Sequence, residues 1–197
     1  MELPLKHIRG FIFDLDGTLV TSSLDFTAIR QEIGCPATED ILTFLDTVPG
    51  ERKASIMDIV HRHEMNDAQE SDWLPHVRPF LAQCAANDIP MAIVTRNSAI
   101  PTQVKVGRNE IPIQHIVTRE TSKPKPDPTA LINIANDFNL PTEAIMMVGD
   151  YKYDLQAGRN AKMATCLVNF TQLPDYAHLA DYTFAHFGLL HRAFFQR

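Results

Sequence analysis

The chain has 197 residues, 45% of them hydrophobic and 21% charged, with a formal net charge of −6. That balance supports one substantial core with room for a small insert. It carries no basic stripe or tail that would mark a nucleic-acid partner and no apolar run of membrane-spanning length. The N-terminal stretch MELPLKHIRG has no apolar h-region. The three cysteines (Cys35, Cys84 and Cys166) are far apart, odd in number and without metal-binding spacing. Reduced thiols in a cytoplasmic protein are the expectation.

Taken in order, the chain opens with a short apolar strand over residues 8–13 that ends in Asp14, followed at once by Asp16, Gly17 and Thr18. Asp-Gly is a turn signal, so the chain leaves the sheet there. A helical region follows with no strong strand signal. LDFTAIRQEI places Leu24, Ala28 and Ile29 on one helix face and stops at Gly34 and Pro36. Thr38 is expected to cap a second helix with Ile41, Leu42 and Leu45 inward, broken by Pro49-Gly50. A third helix is expected over 51–64, with Ile56, Ile59 and Val60 as its stripe, and a shorter piece over 68–73.

From Pro75 onward helices and strands alternate. Helices are expected over 77–88, from Pro101, and over 126–139, 153–161 and 187–195. Strands are expected over 89–95, 113–118, 144–150, 163–169 and 180–184. This alternation predicts an α/β fold, a parallel sheet covered by helices on both faces. The expected core spans 1–19 and 76–197, and a small helical cap spans 20–75. Being inserted directly after the acidic turn, the cap would sit above the carboxyl end of the first strand and act as a lid.

The polar residues gather at one edge of this sheet. Asp14 and Asp16 end the first strand, Thr95, Arg96 and Asn97 follow the second, and Asp150 ends AIMMVGD with Asp154 four residues on. SKPKPDP adds Lys123 and Lys125. Open α/β sheets bind their ligands at the carboxyl ends of their strands. Clustered carboxylates at a buried strand end are costly without a cation between them. Oxygen-only ligands favour Mg²⁺.

These residue types suit phosphoryl transfer. Asp14 is ionised at neutral pH and can act as a carboxylate nucleophile. Asp16 can protonate the leaving oxygen and later take a proton from water. Asp150, with Asp14 and the backbone carbonyl of Asp16, can hold Mg²⁺, and Asp154 can orient metal-bound water. The Thr95 hydroxyl can bond phosphoryl oxygens, and a KPKP lysine can stabilise developing charge. Lys125 is taken for that role and Lys123 remains the alternative. Gly17, Arg96, Asn97, Lys123 and Arg52 are the further candidate substrate contacts.

With these residues in view the sequence resembles the haloacid dehalogenase superfamily. DLDGT, IVTRN, KPKPDP and VGDYKYD match its four motifs, in the family's order. The N-terminal wording is similar to that of phosphoglycolate-phosphatase-like members with a small C1-type helical cap. The resemblance implies a Rossmann-like core and Mg²⁺-dependent hydrolysis of a small phosphorylated metabolite through an aspartyl phosphate. No nucleic-acid or membrane partner is implied, and a monomer or a homodimer is expected. Arg96 stands where many relatives have Asn, and Tyr151 where Ser is usual. A sugar-phosphate mutase-type phosphotransferase and a non-catalytic phospho-ligand-binding protein are the alternatives.

Overall fold

The computed structural model describes residues 5–196; residues 1–4 and 197, the two ends of the expected core, lie outside the described residues. The sheet is parallel throughout. Its strands are β1 (Gly10–Phe13), β2 (Met91–Val94), β3 (His115–Val117), β4 (Ile145–Gly149), β5 (Ala164–Val168) and β6 (Tyr182–Phe184), ordered β3-β2-β1-β4-β5-β6. The first strand in the chain is thus central, flanked by β2 and β4. The strand order reverses across it, and such a reversal opens a crevice at the strands' carboxyl ends.

Period-two alternation divides the core between the two faces. Phe11, Phe13, Ile93, Met146 and Val148 point to one side. There they meet Val77, Phe80, Leu81 and Cys84 of α4 (Val77–Ala86) and Phe187, Leu190 and Phe194 of α8 (Phe187–Phe195). Phe11 meets Phe80 and Phe194 edge-on at centroid distances of 5.2 and 5.0 Å. Ile12, Ala92, Val94, Ile145 and Met147 point to the other side. They pack on α6 (Thr129–Asp137) and α7 (Lys152–Asn160). Burying each large apolar side chain contributes roughly 1.5–3 kcal/mol. All three cysteines are buried and unbridged.

The insert between β1 and α4 consists of α1 (Phe26–Ile33), α2 (Ile41–Thr47) and α3 (Gly50–Glu70). It has its own apolar cluster of Ile29, Ile33, Cys35, Ile41, Leu45, Ile56 and Val60. Asp25 caps α1, accepting from the N–H groups of Thr27 and Ala28, and Gly34 ends it in the left-handed conformation. Leu24 therefore lies outside the helix that the spacing placed it in. The cap of α2 is Asp40, whose carboxylate accepts from Thr43 N–H, and not Thr38.

The main departure is α3. Two pieces, 51–64 and 68–73, were expected, but a single helix of 21 residues is present. Glu64 and Asp67 interrupt its apolar stripe, yet both are buried because they are bonded to core residues. The helix α5 (Ala99–Arg108) lies against α3. Among the described residues no helix is long and apolar enough to cross a membrane.

Candidate active site

Asp14 continues the β1 ladder for one more bond, its N–H donating to Val148 O at 2.9 Å, and its side chain then faces the crevice. The chain turns immediately. Gly17 takes φ +75°, and a Cβ there would stand 2.5 Å from Asp150 Oδ2. Glycine is thus required twice over, by conformation and by space. Thr18 Oγ1 donates to Asp150 Oδ1 at 2.9 Å, fixing the carboxylate at the end of β4. A Cβ on Gly149 would collide with the Asp154 side chain, so the bare backbone there lets Asp154 of α7 reach back to the strand end.

Lys125 ties these acids together. It is 1% exposed, with Nζ 2.6 Å from Asp14 Oδ1 and 2.8 Å from Asp154 Oδ1, and it also donates to Val94 O. Asp154 Oδ2 accepts from Tyr151 N–H at 3.0 Å, so both of its oxygens are engaged. Asp14, Asp150 and Asp154 each place an oxygen within 4.8 Å of the others. Burial pushes Asp14 well above the ordinary carboxylate range; Asp154, Asp150 and Asp16 add to this and Lys125 opposes it. Burial, then the charge of Asp154, pushes Asp150 up to about 7. Burial would depress the Lys125 ammonium, but Asp14 and Asp154 hold its pKa above the usual lysine value.

On the β2 side, Thr95 is buried, and its Oγ1 accepts from Asn97 N–H at 3.0 Å, leaving its own proton to donate. Asn97 Nδ2 donates to Asp16 Oδ2 at 3.2 Å. Arg96 reaches outward to the insert, with Nη2 2.7 and 2.6 Å from the two carboxylate oxygens of Asp40. Its guanidinium lies 4.3 Å from the Tyr153 ring centroid, and Nη1 donates to Lys125 O.

Asp14, Asp16, Gly17, Thr95, Arg96, Asn97, Lys125, Asp150 and Asp154 all line one cavity of about 460 Å³, roofed by Leu24, Phe26, Ile29, Ile41, Leu42 and Val60 of the insert. Two expected residues are elsewhere. Lys123 is exposed outside the cavity, because the inward acceptors of that segment are already taken by Lys125. Arg52 turns away to the carboxyl end of α1, its Nη2 3.4 Å from Ile33 O, where a cation answers unpaired carbonyls. The Asp16 carboxylate, expected near the metal through its residue's backbone, is directed to Lys105 and Asn97 and stands outside the three-carboxylate cluster.

Sequence reasoning missed the second layer. Glu64 of α3 pairs with Arg119 and accepts from Ser98 Oγ at 2.6 Å. Arg119 follows β3, and its place near a strand's carboxyl end was the available signal. Lys105 and Asp67 carried none.

Comparisons with known proteins bear on the family and the fold. A family model described as haloacid dehalogenase-like hydrolase matches residues 21–168. An uncharacterized hydrolase of Saccharomyces cerevisiae is 34% identical over 191 residues, covering 90% of this chain and 86% of the relative. An N-acetylmuramic acid 6-phosphate phosphatase of Pseudomonas putida is 26% identical, covering 89% and 87%. The crystal structure of a hydrolase from Pseudomonas syringae shares the fold with a TM-score of 0.76 at 19% identity, covering 92% and 96%. Fold, strand-end acids and family match converge, and the chain belongs to the haloacid dehalogenase-like hydrolases.

Proposed function

We propose that this hydrolase is a Mg²⁺-dependent phosphatase acting on a small phosphorylated metabolite through an aspartyl phosphate on Asp14. The observation that carries the reading is the Asp14 carboxylate at the end of β1, 2.6 Å from Lys125 and clustered with Asp150 and Asp154. Crowded buried carboxylates, with Asp14 and Asp150 pushed above their ordinary pKa values, call for a cation, and an all-oxygen donor set fits a hard divalent ion. Asp14 and Asp150, with the backbone carbonyl of Asp16, would hold it. Once bound it would neutralise charge between the acids and a phosphate dianion.

The chain's own residues supply the remaining steps. An Asp14 oxygen attacks phosphorus, the bond to the leaving oxygen breaks, and Asp16 gives that oxygen a proton. Water then attacks the phosphoenzyme, losing a proton to Asp16 as the Asp14–phosphorus bond breaks and releases phosphate. Thr95 Oγ1 and the backbone N–H groups of the turn hold phosphoryl oxygens, and Lys125 stabilises the added charge. Asp154 holds Lys125 in place. The insert, spanning about 20–75, serves as a cap that excludes water and selects the leaving group. The resemblance to phosphoglycolate phosphatases and the similarity to the Pseudomonas putida N-acetylmuramic acid 6-phosphate phosphatase both support a phosphorylated small molecule as substrate.

Hydrolysis of 4-nitrophenyl phosphate with and without Mg²⁺, by the wild type and Asp14→Asn, tests this. Metal-dependent turnover lost in the variant is expected. Turnover retained by Asp14→Asn would exclude the aspartyl phosphate. If neither protein turns over, beryllofluoride trapping distinguishes a substrate-selective cap from a binding protein: failure to form a Mg²⁺-dependent Asp14 adduct would refute the phosphatase reading.

A further inference from the structure

Lys105 lies on the buried face of α5 and exposes none of its surface. Its ammonium pairs with Asp16 Oδ1 on one side and Asp67 Oδ2 on the other. Asn97 holds the second Asp16 oxygen, so each oxygen of that carboxylate has its own donor. A buried ammonium between two acids is favourable only while all three remain in register.

Asp67 belongs to the last turn of α3, where the chain returns from the insert. Its carboxylate also accepts from the backbone N–H of Ser23 and from the hydroxyls of Ser22 and Ser23, both at 3.1 Å, where the chain departs for the insert. The two connecting segments run side by side. Thr21 N–H donates to Asp72 O at 2.8 Å, and Leu74 N–H donates to Leu19 O at 3.0 Å. One ammonium therefore joins the Asp16 carboxylate to the hinge of the insert.

We infer that Lys105 is a positioning residue, holding the Asp16 carboxylate in place and, through Asp67, tying that placement to the hinge of the helical insert. Its ammonium pairs with Asp16 and Asp67 and not with the Asp14, Thr95 or Lys125 side chains proposed to attack or hold the phosphoryl group. Its removal should therefore weaken the step that needs Asp16 more than the attack itself. The inference rests on Asp16 being the acid/base of the proposed phosphatase.

The test compares kcat/KM for phenyl phosphate and 2,4-dinitrophenyl phosphate, with Mg²⁺, in the full-length wild type, Lys105→Met and Asp67→Asn. Phenolate is a basic leaving group that needs its proton, whereas dinitrophenolate departs without one. General acid help is worth roughly 10²–10⁴-fold. The phenyl-to-dinitrophenyl ratio should fall at least about tenfold in Lys105→Met and a few-fold in Asp67→Asn, with Lys105→Arg intermediate. Equal losses on both esters, or an unchanged ratio, would overturn the role of Lys105. If Lys105→Met does not fold, Asp67→Asn and Lys105→Arg carry the measurement, and unchanged ratios in both overturn it. A folded Asp67→Asn with the wild-type ratio removes the link to the hinge. Absence of wild-type turnover on both esters, together with no Mg²⁺-dependent beryllofluoride adduct on Asp14, would instead take down the reading of the site as a phosphatase.

Discussion

Lys125 Nζ stands 2.6 Å from Asp14 Oδ1, and its second carboxylate partner, Asp154, is held by the N–H of Tyr151. The ammonium is thus fixed beside the proposed nucleophile before any substrate arrives, the preorganisation that makes a buried charge effective. Lys125→Met should lower kcat for an aryl phosphate by about a hundredfold or more. It also leaves Asp14 and Asp154 without the cation between them, at a cost of roughly 3–5 kcal/mol, visible in thermal unfolding. Lys123→Met, at the exposed lysine of the same segment, should leave both quantities near wild type. The reverse pattern would show that Lys123 is the active lysine.

Arg96 and Asp40 form one of the bonds between the β2 loop and the insert. Burial raises the Asp40 carboxyl, but Arg96 and the Thr43 N–H outweigh it and set the pKa below the usual value. A depressed folded pKa means the contact holds above the ordinary carboxylate range and is lost as pH falls through the folded value. Asp40→Asn keeps an acceptor for the α2 cap and removes the charge. With the two side chains 22% and 23% exposed, the pair is worth on the order of 1 kcal/mol, so KM should rise roughly fivefold with a smaller change in kcat. An unchanged KM would show that this bond does not seat the insert over the substrate.

Gly17→Ala should disturb the acidic cluster rather than the core. A left-handed alanine costs about 1–2 kcal/mol, and its Cβ would meet Asp150 Oδ2 at 2.5 Å. Asp150 must shift, so the Mg²⁺ concentration for half-maximal activity should rise several-fold. Tm should fall by roughly 2–8 °C. A variant with wild-type Mg²⁺ dependence would show that Asp150 can move without consequence.

The strand-end residues were legible because short apolar runs close in polar residues, and parallel strands bring all such ends to one edge. The order β2-β1-β4 then makes Asp14, Thr95 and Asp150 neighbours. What the pattern hid was polar residues on buried helix faces. Glu64 and Asp67 read as the end of an apolar stripe, although α3 continues through both to Glu70. Nothing in the sequence marks Lys105, whose partners lie 38 and 89 residues away. Periodicity reports which face is apolar; it does not report a buried cation whose acids arrive from other elements. The same limit applies to Lys123 and Lys125, which differ in which of them reaches the acceptors and not in type.

Asp150 makes the protein's stability depend on pH and on Mg²⁺ in opposite senses. Its carboxyl titrates near 7 in the folded chain and at about 3.9 when unfolded. Between those values the folded protein keeps a proton that the unfolded chain has lost. Metal-free stability from this group is therefore present at low pH and is lost as pH rises toward 7. A divalent cation needs the ionised form, so it competes with that proton and should stabilise most above pH 7. Thermal unfolding at pH 5.5 and 8 should show a lower metal-free Tm at pH 8 and a larger Mg²⁺-induced rise there. Asp150→Asn should flatten both effects. A metal-free Tm independent of pH in the wild type, or a Mg²⁺ response equal at the two values, would mean that Asp150 is already ionised and compensated without the cation.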